Sequence, residues 1–294
     1  MSVRRLSPRL IALGVIGAVF ALAGLVYLGG PTLMDWLKID RGFTPTIGQR
    51  GKDVDWTPTS DALATAMLQA AKVGASDVVV DLGSGDGKIA IAAAAGFGAR
   101  ARGIEYNRDL VELSRRKAEA AGLADRVSFV RGDIFEAKFD DATVVTMYLL
   151  PRLNERLKPK ILSLRPGTRV LSNAYDMGDW RPDATVEIKG ERAYFWVVPA
   201  KAAGVWSIPL TTEELVRVEL TQTYQHIAGS ATIAGRTAPI ADAAIAGPNV
   251  AFTINDWRGG AWRVQGAIEG DVLKGGIMRV GGDVERMIEV VRSR

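Results

Sequence analysis

The chain has no cysteine and one histidine, His226, among its 294 residues. The first absence removes disulfides, thiolate catalysis and cysteine-ligated zinc. The second makes any Ser–His triad or histidine-bound metal depend on His226, which sits in a β-like stretch without partners of that chemistry and reads as a half-buried structural residue. No metal site is expected. A surplus of charge of one sign is also missing: seven basic and four acidic residues precede position 56, twenty and nineteen span 56–200, and ten of each follow. No folded segment carries the basic excess that a nucleic-acid binder needs, so nucleic acid is disfavoured as a partner. The length is more than one domain usually needs, and two folded units are expected.

Residues 10–28 form an uncharged apolar run of nineteen, preceded by Arg4, Arg5 and Arg9. That length suits a bilayer-spanning helix with Tyr27 and Trp36 near its interfaces. A cleaved signal peptide is the alternative, because Ala21, Leu22 and Ala23 offer a small-x-small site after a short apolar core. The continuation to Leu28 favours an uncleaved anchor over 1–30, followed by a juxtamembrane linker over 31–55 that is rich in glycine, proline and charge.

The strongest signal lies further on. Val78, Val79 and Val80 lead to Asp81, then Gly83, Gly85 and Gly87 alternate with Ser84 and Asp86 before Lys88 and Ile89 open a helix. A buried strand ends in an acid, the glycines permit positive φ and leave no Cβ in a ligand's way, and the next helix offers unpaired N–H groups. Such a loop touches a nucleoside cofactor. A dinucleotide fingerprint would place its third glycine at position 88, to pack helix on strand beneath a pyrophosphate, and Lys88 stands there instead. Asp81-Leu82-Gly83-Ser84-Gly85-Asp86-Gly87 resembles motif I of the seven-strand S-adenosylmethionine (SAM) methyltransferases, whose ligand carries an amino-acid tail and a sulfonium.

The surrounding pattern agrees. A helix over 60–72, capped by Thr59 or Ser60 and apolar at Leu63, Met67, Leu68 and Ala71, precedes the first strand. After a helix over 86–95, the strand 101–105 ends in Glu105, where a carboxylate can accept both ribose hydroxyls; a solvated strand-end glutamate is the ordinary alternative. A helix over 109–121, a strand over 126–130 and the turn Gly132-Asp133-Ile134 follow. Strands over 142–147 and 168–172 flank a helix over 152–164, and a hairpin of 185–188 with 193–198 closes the pattern. Alternating strand and helix implies a parallel sheet covered on both faces. The fold class is α/β: a Rossmann-like seven-strand methyltransferase sheet over 56–200, whose closing pair resembles the sixth and seventh strands of that family. From 201 to 294 helix patterns vanish, and short alternating segments punctuated by glycines imply a small antiparallel β-barrel or sandwich without a catalytic constellation. It suits a contact module or a stabilising appendage.

The segment after the fourth strand, Thr146-Met147-Tyr148-Leu149-Leu150-Pro151, lacks the Asn/Asp-Pro-Pro-Tyr of enzymes that methylate nucleic-acid amines, and no carboxylate cluster of the catechol O-methyltransferase kind appears. Apolar surroundings with Tyr148 suit a nucleophile that needs desolvation, such as lysine, whose neutral amine burial favours; Tyr148 as a core-edge aromatic is the ordinary alternative. Residues 56–199 resemble the small membrane-anchored lysine methyltransferases whose relatives act in mitochondria on the ATP synthase c-subunit and the adenine nucleotide translocase, and more distantly the nucleosomal lysine methyltransferases. The matching stretches are Thr57-Pro58-Thr59, Asp81 to Lys88, Tyr148-Leu149-Leu150-Pro151 and Gly167-Thr168-Arg169-Val170-Leu171-Ser172. The β region after Ala200 and the sequence Ser172-Asn173-Ala174-Tyr175 depart from that pattern.

The resemblance implies SAM as cofactor, with Asp81, Gly83, Gly85 and Gly87 around its methionine moiety, Glu105 on the ribose, Asp133 and Ile134 at the adenine, and Thr59 and Ser84 also among the cofactor-binding residues. It implies catalytic roles for Tyr148 and Asn173, an acceptor site shaped by residues 57–59 and Asp176, and a protein substrate in or at a membrane. Two other readings stay open: methylation of a small molecule or lipid, and SAM binding without turnover in an interaction protein. The three arginines before the apolar run outnumber Lys38 and Arg41 after it, which argues for export. SAM is a cytosolic metabolite, which argues for a single-pass membrane protein with its catalytic domain on the cytoplasmic side.

Overall fold

The computed structural model describes residues 43–282 and 285–293. The expected transmembrane run, Tyr27, Trp36, Lys38, Arg41 and the first part of the linker lie outside the described residues. Among the described residues no helix is long and apolar enough to cross a membrane.

The described chain opens with a short antiparallel hairpin, β1 (Gln49–Arg50) and β2 (Asp55–Trp56). Helix α1 (Asp61–Ala70) follows, with the Ser60 hydroxyl accepting from Leu63 N at its start and Leu63, Ala64, Met67 and Leu68 buried on one face. Strand β3 (Val78–Leu82) leads through the glycine loop into α2 (Lys88–Phe97). The helix starts two residues later than its composition suggests, because Gly87 at φ +80° is left-handed and cannot belong to it. Strand β4 (Arg100–Glu105), helix α3 (Arg108–Ala120) and strand β5 (Val127–Arg131) follow, and the Asn107 side chain caps α3. Next come β6 (Val144–Met147), α4 (Pro151–Leu162) with proline at its first turn, and β7 (Arg169–Asn173). Strands β8 (Ala184–Ile188) and β9 (Glu191–Val197) form the closing hairpin. Its loop is Lys189 and Gly190 alone, both at positive φ, where the sequence suggested a four-residue connection.

These seven strands form one sheet in the order β5-β4-β3-β6-β7-β9-β8, parallel except for β9. The chain leaves β3 toward one edge and returns at β6 toward the other, so β3 and β6 flank the topological switch point, where ligands of such sheets bind outside the carboxyl ends. Apolar clusters cover both faces: α1, α2 and α3 pack through Leu68, Ala90 and Val111 on one, and α4 through Leu157 with Trp180 and Trp196 on the other.

The remaining strands are β10 (Gly204–Pro209), β11 (Leu215–Thr223), β12 (His226–Ile233), β13 (Arg236–Pro239), β14 (Ala241–Ala246), β15 (Asn249–Asn255), β16 (Ala261–Glu269), β17 (Val272–Arg279) and β18 (Glu285–Ser293). They form one nine-stranded antiparallel sheet that curls until β14 lies near β12 around a single core holding Trp206, Val218, Phe252, Val264 and Ile277. His226, expected to be half-buried, is exposed at the start of β12, beside the β11–β12 turn. The two sheets belong to one compact unit. Tyr224 stacks on Trp180 and donates to Asp179 Oδ2 (2.8 Å), Gln225 accepts from Trp180 Nε1 (3.0 Å), and Ala200 N donates to Gly247 O (2.8 Å).

Candidate active site

The site grows from the end of β3. Gly83 N and Ser84 N both donate to Ile104 O of β4, which turns the loop sharply across the sheet edge with Gly83 at φ +74° and Gly85 at φ +52°. Glu105, at the end of β4, clamps the same loop: its two carboxylate oxygens accept from Gly85 N (3.0 Å) and Asn107 N (2.8 Å). Over this edge lies a cleft of about 340 Å³, a size suited to a small-molecule ligand.

Asp81 is 3% exposed at the floor of the cleft. Its register partner on β6 is Thr146, whose hydroxyl donates to Asp81 Oδ1 (2.7 Å). Burial pushes its carboxyl up to about 7 against the Thr146 bond, and the Glu105 and Asp86 carboxylates push the same way. A carboxylate held so far from water favours a cation beside it. A ligand with an ammonium group at Asp81 and hydroxyls toward Glu105, lying on a loop without Cβ atoms, fits these residues.

The hairpin β1–β2 forms the roof. Lys52 Nζ bonds Asp133 Oδ2 (2.5 Å) and lies 4.8 Å from the centre of the Tyr106 ring. The Lys52 bond and the N–H of Phe135 hold the Asp133 carboxyl below its ordinary range. Trp56 covers Gly85 so closely that a methyl group at that glycine would sit 2.6 Å from Trp56 Nε1. Neither contact is visible in local patterns, because Lys52 and Asp133 are 81 residues apart in sequence.

Of the residues singled out in the sequence, Thr59, Asp81, Gly83, Ser84, Gly85, Glu105, Asp133, Ile134 and Tyr148 line this one cleft. Ser84 does so with its backbone: its buried hydroxyl faces Gly103, where a methyl group would meet it at 2.5 Å. Gly87 does not line the cleft. A methyl group there would approach Phe129 Cζ to 2.5 Å and Ser114 Cβ to 2.9 Å, so this glycine serves the packing of α2 against β5 and α3. Asn173 also lies behind the wall, buried, with its Nδ2 donating to Thr59 Oγ1 (3.0 Å). Asp176 accepts from Gly178 N in an exposed turn and is not at the cleft. Tyr175 is at the cleft, with its ring centre 6.4 Å from that of Tyr148. Ala174 at φ +63° makes the turn that precedes it. The described residues contain no cluster of three or more potential metal ligands.

A family model described as the ANTKMT methyltransferase domain matches residues 81–184. A protein-lysine N-methyltransferase of Saccharolobus islandicus is 41% identical over 46% of this chain and 86% of its own length. The mouse adenine nucleotide translocase lysine N-methyltransferase is 35% identical over 41% of this chain, which spans only 53% of that relative. A solved structure titled an RNA methyltransferase from Salinibacter ruber, in complex with S-adenosylhomocysteine, is 49% identical over 49% of this chain and 95% of that one, with a TM-score of 0.49.

Proposed function

The chain belongs to the SAM-dependent methyltransferase family that includes protein-lysine N-methyltransferases, and from that premise we propose that it methylates the side-chain amine of a protein lysine at a membrane. The observation that carries the lysine assignment is the 41% identity to a protein-lysine N-methyltransferase, 86% of whose length the chain spans. SAM is the cofactor, and when bound it supplies a methyl group on a sulfonium that an amine displaces in line, leaving S-adenosylhomocysteine.

The chain's own residues do the positioning. Asp81 takes the α-ammonium of the methionine moiety, with Thr146 fixing its other carboxylate oxygen. Glu105 would receive the ribose hydroxyls on lone pairs that Gly85 N and Asn107 N leave open. Ile134 and Asp133, both at the cleft, would hold the adenine. The acceptor enters on the side of Tyr148, Tyr175 and Leu149. That lining excludes water and favours the neutral amine, which is the nucleophilic form. Asn173 positions Thr59 from behind and does not touch the reacting atoms.

The membrane setting rests on the uncharged run at 10–28, and the cytoplasmic side on the supply of SAM. Incubating the full chain with methyl-labelled SAM and membranes of its host tests the whole reading. Label on lysine of a membrane-associated protein is the expected result. Label in the organic extract would instead indicate a lipid or small-molecule acceptor, and SAM binding without transfer would indicate an interaction protein.

A further inference from the structure

The parallel strands bring their last residues to the cleft edge, whereas β9 runs the other way and brings its first. Ala193 of β9 pairs with Asn173 at the end of β7, which puts Glu191, two residues earlier, just beyond that edge. The tight Lys189–Gly190 turn is what makes Glu191 a strand residue there. Its Oε2 accepts from the hydroxyl of Ser60, the residue after the cleft-lining Thr59. Arg192, the adjacent cation, is turned to Glu187 on β8.

Ala174 N donates to Arg192 O, so the β7–β9 pairing runs on past Asn173 and brings Glu191 toward Tyr175. The ring faces of Tyr175 and Tyr148 are themselves attractive to cations. Burial, then Tyr175 and then Glu191 raise the Tyr148 phenol above its ordinary range, in keeping with that placement. Arg50, Lys52 and Lys88 also line the cleft; Lys52 is bonded to Asp133, and Lys88 Nζ to Asp61 Oδ1 (2.9 Å), beside Ser60.

We propose that Glu191 is a positioning carboxylate for the methyl acceptor, drawing an alkylammonium to the mouth of the passage walled by Tyr148 and Tyr175. The inference rests on the lysine reading above and adds to it the group that selects charge. Glu191 gathers the charged, abundant form of the side chain at the mouth, and the apolar lining beyond it disfavours that charge, so the amine releases its proton to water before it reaches the methyl group. A phosphodiester would be repelled by the same carboxylate.

Ligand-observed NMR on the full chain loaded with S-adenosylhomocysteine separates the two claims. The probes are N-acetyl-lysine methylamide and its neutral isostere N-acetyl-norleucine methylamide. The parent should bind the lysine probe more tightly, Glu191→Gln should weaken that binding by about fivefold while leaving the norleucine probe unchanged, and Glu191→Asp should retain most of the preference. Glutamine keeps an acceptor for Ser60, and Tm reports whether the fold is intact. If the parent binds the two probes equally, the lysine reading itself fails. If the parent prefers lysine and Glu191→Gln does so equally, the lysine reading stands and the role of Glu191 is wrong; a lowered Tm with that preference unchanged would assign Glu191 to holding Ser60 alone.

Discussion

Asp81 and Asp256 both stand at the ends of strands, one in each sheet region, Asp81 buried and Asp256 in a surface loop, and the molecule treats them in opposite ways. Asp256 leads the β15–β16 loop and is neutralised where it sits: Arg258 donates to it from both its backbone N–H and its guanidinium, which hold its carboxyl below the ordinary range. Asp81 has one hydroxyl for a partner, two further carboxylates for neighbours and a carboxyl raised to about 7. In the nine-strand region Asp256 is neutralised within its own loop, as suits a scaffold. The seven-strand region keeps one charge unsettled at the floor of a cleft, which is the mark of a binding site.

Four substitutions press on that contrast, in falling order of expected effect. Asp81→Asn removes the charge that meets the ammonium, and SAM affinity by calorimetry should fall about 100-fold, the size expected for losing a charge-assisted bond. Its ligand-free Tm at pH 8 should not fall, because the variant no longer buries an ionised group. Gly87→Ala should cost roughly 2–4 kcal/mol of stability in denaturant unfolding, since it combines a strained φ with overlap against Phe129. Gly87 acts as packing rather than as a ligand, so SAM affinity of the folded fraction should change far less than in Asp81→Asn. Lys52→Ala unlatches the roof from Asp133, and stopped-flow rates of S-adenosylhomocysteine binding and release should both rise a few-fold. Asp256→Asn should leave SAM affinity unchanged and shift Tm by no more than a few degrees, as expected for a surface ion pair. A loss of cofactor binding in that last variant would break the division between the two regions.

Local signals wrote much of this in the sequence. The valine run and glycine loop at 78–88, the strand-end acid Glu105 and the turn at Asp133 each depend on near neighbours, and the fold gathers them at one cleft. What escaped depends on distance or on a single backbone angle. Lys52 reaches Asp133 and Trp56 reaches Gly85 only once the sheet has formed. The left-handed pair Lys189 and Gly190 looked like part of a longer loop, which hid the position of Glu191. Gly87 matches a ligand motif by spacing, yet its side-chain space is already filled by Phe129 and Ser114. Asn173 sits at the right strand end and is turned inward by its bond to Thr59.

The pH dependence of SAM binding tests the central claim about Asp81. Burial raises its folded pKa from the ordinary carboxylate value of 3.8 to about 7, so below about pH 7 the ligand-free protein holds a proton there that the bound ammonium must expel. The parent's affinity should therefore hold above pH 7 and fall as pH drops toward 5, approaching about tenfold per unit, with a proton released on binding. The same affinity in Asp81→Asn should be weak and flat across that range. Parallel slopes in the two proteins would contradict the account, since the titrating group would then be some residue other than Asp81.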